Sequence, residues 1–270
     1  MKRAGFTLTE LIVVVSITAL LMAVLLPVLR GSRQQAKSVL CSSNIKQLLA
    51  GLTMYETDNR TLPHAFHFKR VPPPGGYPGN QMLDSQGWWW FNYTTDHRRK
   101  DETNVLWCPA NKITNIHLKN YILHGNYGVN QSMCKLAKPN IYLDDDDFNG
   151  TPLRTSDIRQ PAGTLLLVDC GYSMINWWHA ADSPPEALGN TRIEDTAYIP
   201  GLRINSARQL WPGQEDDAVN GRHPRKTVNV GFASGHVERR DADDLLVKKT
   251  ANSYKNISPL WSQSKTTIQD

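Results

Sequence analysis

The residues able to do chemistry in this chain are few and widely spaced. Cys41, Cys108, Cys134 and Cys170 show none of the Cys-x-x-Cys spacing of a zinc ribbon or a dithiol redox motif. In an oxidising compartment, where disulfides persist, four cysteines allow three pairings. His223 and His236 could share a metal, but they stand 13 positions apart and lack an obvious carboxylate partner. Zinc generally needs three or four protein ligands, so the expectation is no metal and a hydrogen-bonded structural role for both. Asp144–Asp147, beside Asn149-Gly150, supply the oxygen ligands calcium prefers. The run lacks the alternate spacing and closing Glu of an EF-hand loop, so a solvated loop is expected, with calcium the one cofactor left open. Trp88-Trp89-Trp90-Phe91 and Trp177-Trp178-His179 are unusual aromatic runs. They could stack on sugars or anchor partners, or lie buried under loops, where Trp supplies much apolar area; burial is the expected state. No nucleophile elbow, P-loop, dinucleotide fingerprint or HExxH motif occurs, so no catalytic residue is nominated and no enzyme is expected.

The elements that must position these groups begin with an apolar segment. From Leu11 to Leu29 there are 19 residues without a charge, preceded by Lys2 and Arg3. That length suits a membrane-spanning helix of about 20 residues. It exceeds the roughly 7–15-residue apolar region of a secretory signal, and no small-x-small cleavage site follows it. Basic residues lie on both flanks, Lys2 and Arg3 before and Arg30, Arg33 and Lys37 after, so charge alone does not orient the span. Glu10 sits at its start, where an unpaired carboxylate is costly in a membrane. It is either paired with a cation from elsewhere or a helix-start residue, since acids favour first turns.

Beyond Gly31, Ile45, Leu48, Leu49, Leu52 and Tyr55 follow the i, i+3, i+4, i+7 spacing of an amphipathic helix. Asn59 and Pro63 should end it. A helix over Phe6–Asp58 would be about 80 Å long at 1.5 Å per residue. Its second half would lay the apolar stripe on a globular domain. Within that domain Thr164–Val168 reads as a buried strand. Val228, Val230 and Phe232 alternate with Asn229 and Gly231 as in a half-buried strand, turning through Ala233–His236 into a partner strand to Arg240. Asp241–Lys249 reads as a short helix and 72–79 as a Pro/Gly loop. The fold class expected is α+β: a long N-terminal helix on an antiparallel sheet with long loops. The divisions are 1–5, a leader; 6–30, a transmembrane helix; 31–60, its amphipathic continuation; and 61–270, a globular domain. Net charge is +5, from 30 basic and 25 acidic residues, with no basic stripe, so nucleic acid is not an expected partner.

Gly5-Phe6-Thr7-Leu8-Thr9-Glu10, between a basic leader and the uncharged run, resembles the processing motif of type IV prepilins and type II secretion pseudopilins. The resemblance implies that a prepilin peptidase cuts after Gly5 and that Phe6 becomes the N-methylated N-terminus. It implies that Glu10 meets the Phe6 amine of a neighbouring subunit, and that Pro27 occupies the place of a helix-kinking proline. It also places the N-terminus in the cytoplasm, with the globular domain periplasmic or extracellular. Cys41-Ser42-Ser43-Asn44-Ile45-Lys46-Gln47-Leu48 resembles the opening of a large pilin-like family of planctomycetes and Lentisphaerae. Trp107-Cys108-Pro109, Asn126–Asn130 and Ile158–Asp169 resemble its later landmarks. Its C-terminal signature, His, nine residues and Asp-Gly, is altered here: ten residues separate His223 from Ser234-Gly235. Cys41 with Cys108 is the disulfide this resemblance suggests, because both lie in family landmarks; Cys134 and Cys170 would remain. Some pseudopilins of this kind bind calcium near the C-terminus.

The function implied is a structural subunit, a pilin or pseudopilin of a type IV pilus or type II secretion system. Its partners would be the prepilin peptidase, other pilin or pseudopilin subunits and an inner-membrane assembly platform. The alternative is a membrane-anchored extracytoplasmic protein that binds a carbohydrate or surface ligand and uses the pilin-like N-terminus for export.

Overall fold

The computed structural model describes residues 7–68, 87–94, 104–137, 146–183 and 196–263. Gly5, Phe6, Asp144, Asp145 and the 72–79 segment lie outside them. The first element is a continuous helix α1, Leu8–Asn59, of 52 residues. Thr7 caps it: the Glu10 N–H donates to Thr7 Oγ1 at 3.3 Å, and the Thr7 N–H donates to Glu10 Oε2 at 2.9 Å. This reciprocal capping box satisfies donors that a helix start leaves free. Arg60, in the left-handed region at φ 65°, closes the other end by donating its N–H to Glu56 O. Pro27 lies inside the helix and has no N–H to contribute to it.

The two halves of α1 differ in what covers them. From Leu8 to Lys37 every residue is exposed, and the first buried one is Ser38. Cys41, Ile45, Leu48, Leu49 and Leu52 then form a buried stripe, with Tyr55 half-buried against Tyr93. The apolar first half is long and apolar enough to cross a membrane by length and composition. Its hydroxyls turn back onto the helix: Ser16 Oγ donates to Ile12 O and Thr18 Oγ1 to Val14 O. Between Leu11 and Leu29 these are the two polar side chains, and neither needs water, which hydrocarbon cannot supply.

After α1 comes a small pair of strands, β1 (Phe66–Phe68) and β2 (Gly87–Trp89), which runs into α2 (Trp90–Thr94). The short helices α3 (Ile116–Lys119) and α4 (Gln131–Cys134) flank β3 (Tyr127–Asn130). Then follow β4 (Leu165–Asp169), β5 (Met174–Ile175), α5 (Glu215–Asn220), β6 (Thr227–Phe232) and β7 (Val237–Asp241). The last strands described form a hairpin, β8 (Lys248–Lys249) with β9 (Tyr254–Lys255). The main sheet has the order β5-β3-β4-β6-β7; all neighbours are antiparallel except the edge pair β3–β5. The fold is thus the α+β arrangement of a long helix on a sheet, with a mixed sheet in place of a purely antiparallel one. The stretch read as a helix over Asp241–Lys249 is instead a single 3-10 turn, Ala242–Leu245, running on into β8. Its apolar residues are consecutive, Leu245, Leu246 and Val247, and all three are buried, which extended backbone achieves and one helical face does not.

Sheet alternation divides the core. Val228, Val230 and Phe232 of β6 point into a cluster with Trp177, Trp178 and Trp261. Asn229 and Gly231 point the other way, under α1: a side chain at Gly231 would meet Ile45 and Leu49 at 2.8–2.9 Å. The face that looks solvent-exposed in the sequence is therefore buried. Glycine brings the helix close, and Asn229 has its own hydrogen bonds there.

Candidate functional site

Two places concentrate features that packing alone does not explain. The first is the exposed apolar half of α1 with Glu10 at its start. Glu10 is engaged within its own chain, accepting from both the backbone N–H and the hydroxyl of Thr7. In the isolated chain it is a helix-start residue. Gly5 and Phe6, the expected processing site, lie outside the described residues.

The second place is where the globular half of α1 meets the sheet, and the signature residues gather there. Cys41 is on α1, Cys108 in the segment before α3, and His223 just ahead of β6. The two sulfurs are 2.9 Å apart and unbonded, beyond the roughly 2.05 Å of a disulfide. His223 Nε2 donates to Asp169 Oδ2 at 3.0 Å. The same oxygen accepts from the Asn229 N–H at 2.7 Å and from Asn229 Nδ2 at 3.1 Å. Asn44 Nδ2 donates to Trp107 O and Tyr127 Oη, and Lys46 Nζ to Gly235 O at 2.5 Å. Gln47 is exposed and Pro109 half-buried, and neither enters this cluster.

Arg222 braces the site. Its side chain is fully buried, with Nη2 donating to Asp217 Oδ2 at 2.8 Å and to Cys170 O at 2.7 Å. Nη1 donates to Asn126 O at 2.7 Å. Asp217 is completed by the Tyr198 hydroxyl and the Lys112 N–H. A buried ion pair persists only when its remaining donors and acceptors are met in this way. Burial pushes the Asp169 carboxyl up, but the charge and hydrogen bond of His223, with Arg222 and the Asn229 N–H, hold it below its usual range. Burial depresses His223, and Asp169 more than offsets this, leaving it raised. Burial also opposes ionisation of Cys108, but the Cys41 hydrogen bond and the nearby Arg222 lower it, while Cys41 is pushed up.

The altered signature is now legible. Ser234-Gly235 forms the β6–β7 turn: the Gly235 N–H donates to Phe232 O, and Gly235 takes φ 83°. Ser234 is exposed there, with Oγ 2.6 Å from His236 Nδ1. The departure from Asp-Gly thus changes a turn residue and leaves His223, ahead of the other end of β6, untouched. His236 stacks on Phe232 and reaches Glu238, whereas His223 pairs with Asp169, so the two histidines have separate partners. Asp169 is the residue that sequence reasoning passed over. An acid closing the apolar run Leu165–Val168 was the available signal, because such a carboxylate is buried and needs partners.

The other candidates are structural where they are described. Trp89, Trp90, Phe91, Trp177 and Trp178 are core residues, so apart from half-buried Trp88 neither run presents a stacking surface. Asp147 ties its loop down, accepting from Ser132 Oγ and Ser262 Oγ at 2.8 Å each. Cys134 and Cys170 are buried in different core clusters.

Residues 1–26 match the prokaryotic N-terminal methylation motif family. The chain is also 39% identical over 62 residues to the type II secretion system core protein G of Pseudomonas aeruginosa. That stretch covers 23% of this chain and 44% of the relative, so the chain spans less than half of the protein it matches. No solved structure matches the chain.

Proposed function

We propose that the chain is a membrane-anchored structural subunit, a pilin or pseudopilin of a type IV pilus or type II secretion system; the methylation-motif match over residues 1–26 and the likeness to the secretion core protein support this reading. The observation that carries this reading is the bare first half of α1. Its exposed apolar side chains run from Leu8 to Leu29, and none is covered by the chain's own globular part. An apolar helix left without a partner belongs in hydrocarbon or against other helices. A subunit stored in a membrane and assembled into a helical bundle uses both.

In this role the chemistry is done by another enzyme. A prepilin peptidase removes residues 1–5 on the cytoplasmic side, and Phe6 becomes the methylated N-terminus. The globular domain then lies outside the cytoplasm, and an inner-membrane platform and neighbouring subunits receive the processed helix. No catalytic role follows for the chain itself. Mass spectrometry of the mature protein from cells carrying a prepilin peptidase tests the reading. The expected N-terminal residue is N-methylated Phe6. An intact Met1, or a cut near residue 31, would overturn it.

A further inference from the structure

Cys41, Cys108, Asp169 and His223 each offer one ligand atom, and those atoms all lie within 4.8 Å of one another. All four residues are buried, at 0%, 5%, 0% and 3% exposure. They come from four separate parts of the chain: α1, the segment before α3, the end of β4 and the lead into β6. Such convergence of two thiols, a carboxylate and an imidazole in the interior is unfavourable without a compensating group. Thiols and carboxylates are solvated in the unfolded chain and lose that water here.

The cluster is also incompletely satisfied as it stands. Asp169 Oδ2 takes three donors, yet Asp169 Oδ1 is buried with no hydrogen-bond partner. His223 Nδ1 is buried and partnerless as well. A buried polar atom left unmet is destabilising, so each calls for an explanation.

We propose that Cys41, Cys108, Asp169 and His223 form a structural zinc site that clasps the globular half of α1 to the sheet. The inference stands on this geometry and not on the assembly role. A tetrahedral ion with ligands at about 2.0–2.3 Å sets neighbouring ligand atoms roughly 3.3–3.8 Å apart. The sulfur pair at 2.9 Å needs to open by less than about 1 Å to admit it. Two thiolates, an imidazole and one carboxylate select zinc over calcium or magnesium, which take oxygen ligands. Four protein ligands in a buried place leave no open position, which marks a structural site and not a catalytic one.

The surroundings already hold the ligands. Asn229 fixes Asp169 Oδ2 with two N–H groups. The Cys108 N–H donates to Asn126 Oδ1 at 2.9 Å. The buried Arg222–Asp217 pair braces the same region, Arg222 donating to Asn126 O and Cys170 O at 2.7 Å each. A Cys41–Cys108 disulfide is the rival use of the same thiols. It would consume two ligands and leave Asp169 Oδ1 buried and unpaired.

The test uses the full chain purified in detergent without chelator. Elemental analysis should find about one zinc per chain, and alkylation after denaturation should find all four thiols free. Cys108→Ser and Asp169→Asn should each lower zinc content at least tenfold, while Cys134→Ser leaves it unchanged. Cobalt added to chelator-stripped protein should give a thiolate-to-cobalt charge-transfer band that Cys108→Ser abolishes. Because a variant could simply misfold, a second measurement uses the wild type: its Tm should fall on chelation and recover with zinc. Peptide mapping that finds Cys41 joined to Cys108 without metal would overturn the proposal. So would reduced thiols that take up no zinc, or zinc that survives Cys108→Ser.

Discussion

At the scale of single residues, Glu10 carries the assembly argument. Within the chain it closes a capping box with Thr7, a role that either Glu or Gln performs. Glu10→Gln therefore keeps the helix start and removes only the charge. Processing and membrane insertion should persist, because the leader and apolar run are unchanged. Incorporation into filaments or pseudopili should fall, because the Phe6 amine of a neighbour loses its counter-charge. Crosslinking of tagged subunits, wild type against variant, measures this, and equal incorporation would leave Glu10 as a cap alone. His124 supports a separate prediction. Burial pushes its pKa down to about 4 from the ordinary 6.5, and Nδ1 has no hydrogen-bond partner. The unfolded chain then binds a proton more readily than the folded one. Stability contributed by neutral His124 is present above about pH 6.5 and is lost as pH falls toward 4. The loss is on the order of 3 kcal/mol if His124 alone is counted. His124→Phe preserves the ring between Tyr121 and Tyr172 and removes the titration. Its Tm should decline less than the wild type's between pH 7 and pH 4; equal declines would exonerate His124.

At the scale of elements, the contact between α1 and β6 decides whether helix and sheet form one body. Gly231 lies under Ile45 and Leu49, closer than any side chain there would permit. Gly231→Val adds three carbons to a filled interface, and overpacking of this kind costs roughly 1–3 kcal/mol. Thermal unfolding of the variant should show that loss. A Tm equal to the wild type's would mean that α1 is not held tightly on the sheet. Glu56 adds a polar tie near the end of the helix, accepting from the Thr155 N–H at 2.6 Å and the Thr155 hydroxyl at 2.5 Å. Both ends of the packed half are thus fastened, at Cys41 by the buried cluster and at Glu56 by this pair.

At the scale of the whole molecule, the chain has two parts that differ in how they are covered. Leu8–Lys37 makes no buried contact, while the stripe from Ser38 onward completes the globular core. Removing residues 1–31 should therefore subtract apolar surface without opening a core. Residues 32–270 should express as a soluble, monodisperse protein, checked by size-exclusion chromatography without detergent. Detergent-dependent aggregation would show that the globular part needs the span.

The sequence by itself determined the apolar segment and the long helix. A 19-residue uncharged run, the stripe from Ile45 to Tyr55 and the words around Gly5-Phe6 and Glu10 are local patterns, and local periodicity is set by helix geometry alone. The β6–β7 hairpin was legible for the same reason. The buried cluster was not. Cys41, Cys108 and His223 were visible only as separate landmarks, and Asp169 not as a site residue at all, because the two thiols stand 67 positions apart and Asp169 and His223 54. Only the tertiary structure turned Asn229 and Gly231 inward, since strand alternation states which residues share a face and not which face a helix will cover. The strand order did both: it set β4 beside β6 beneath α1, so an acid, a histidine and two thiols distant in the chain became neighbours.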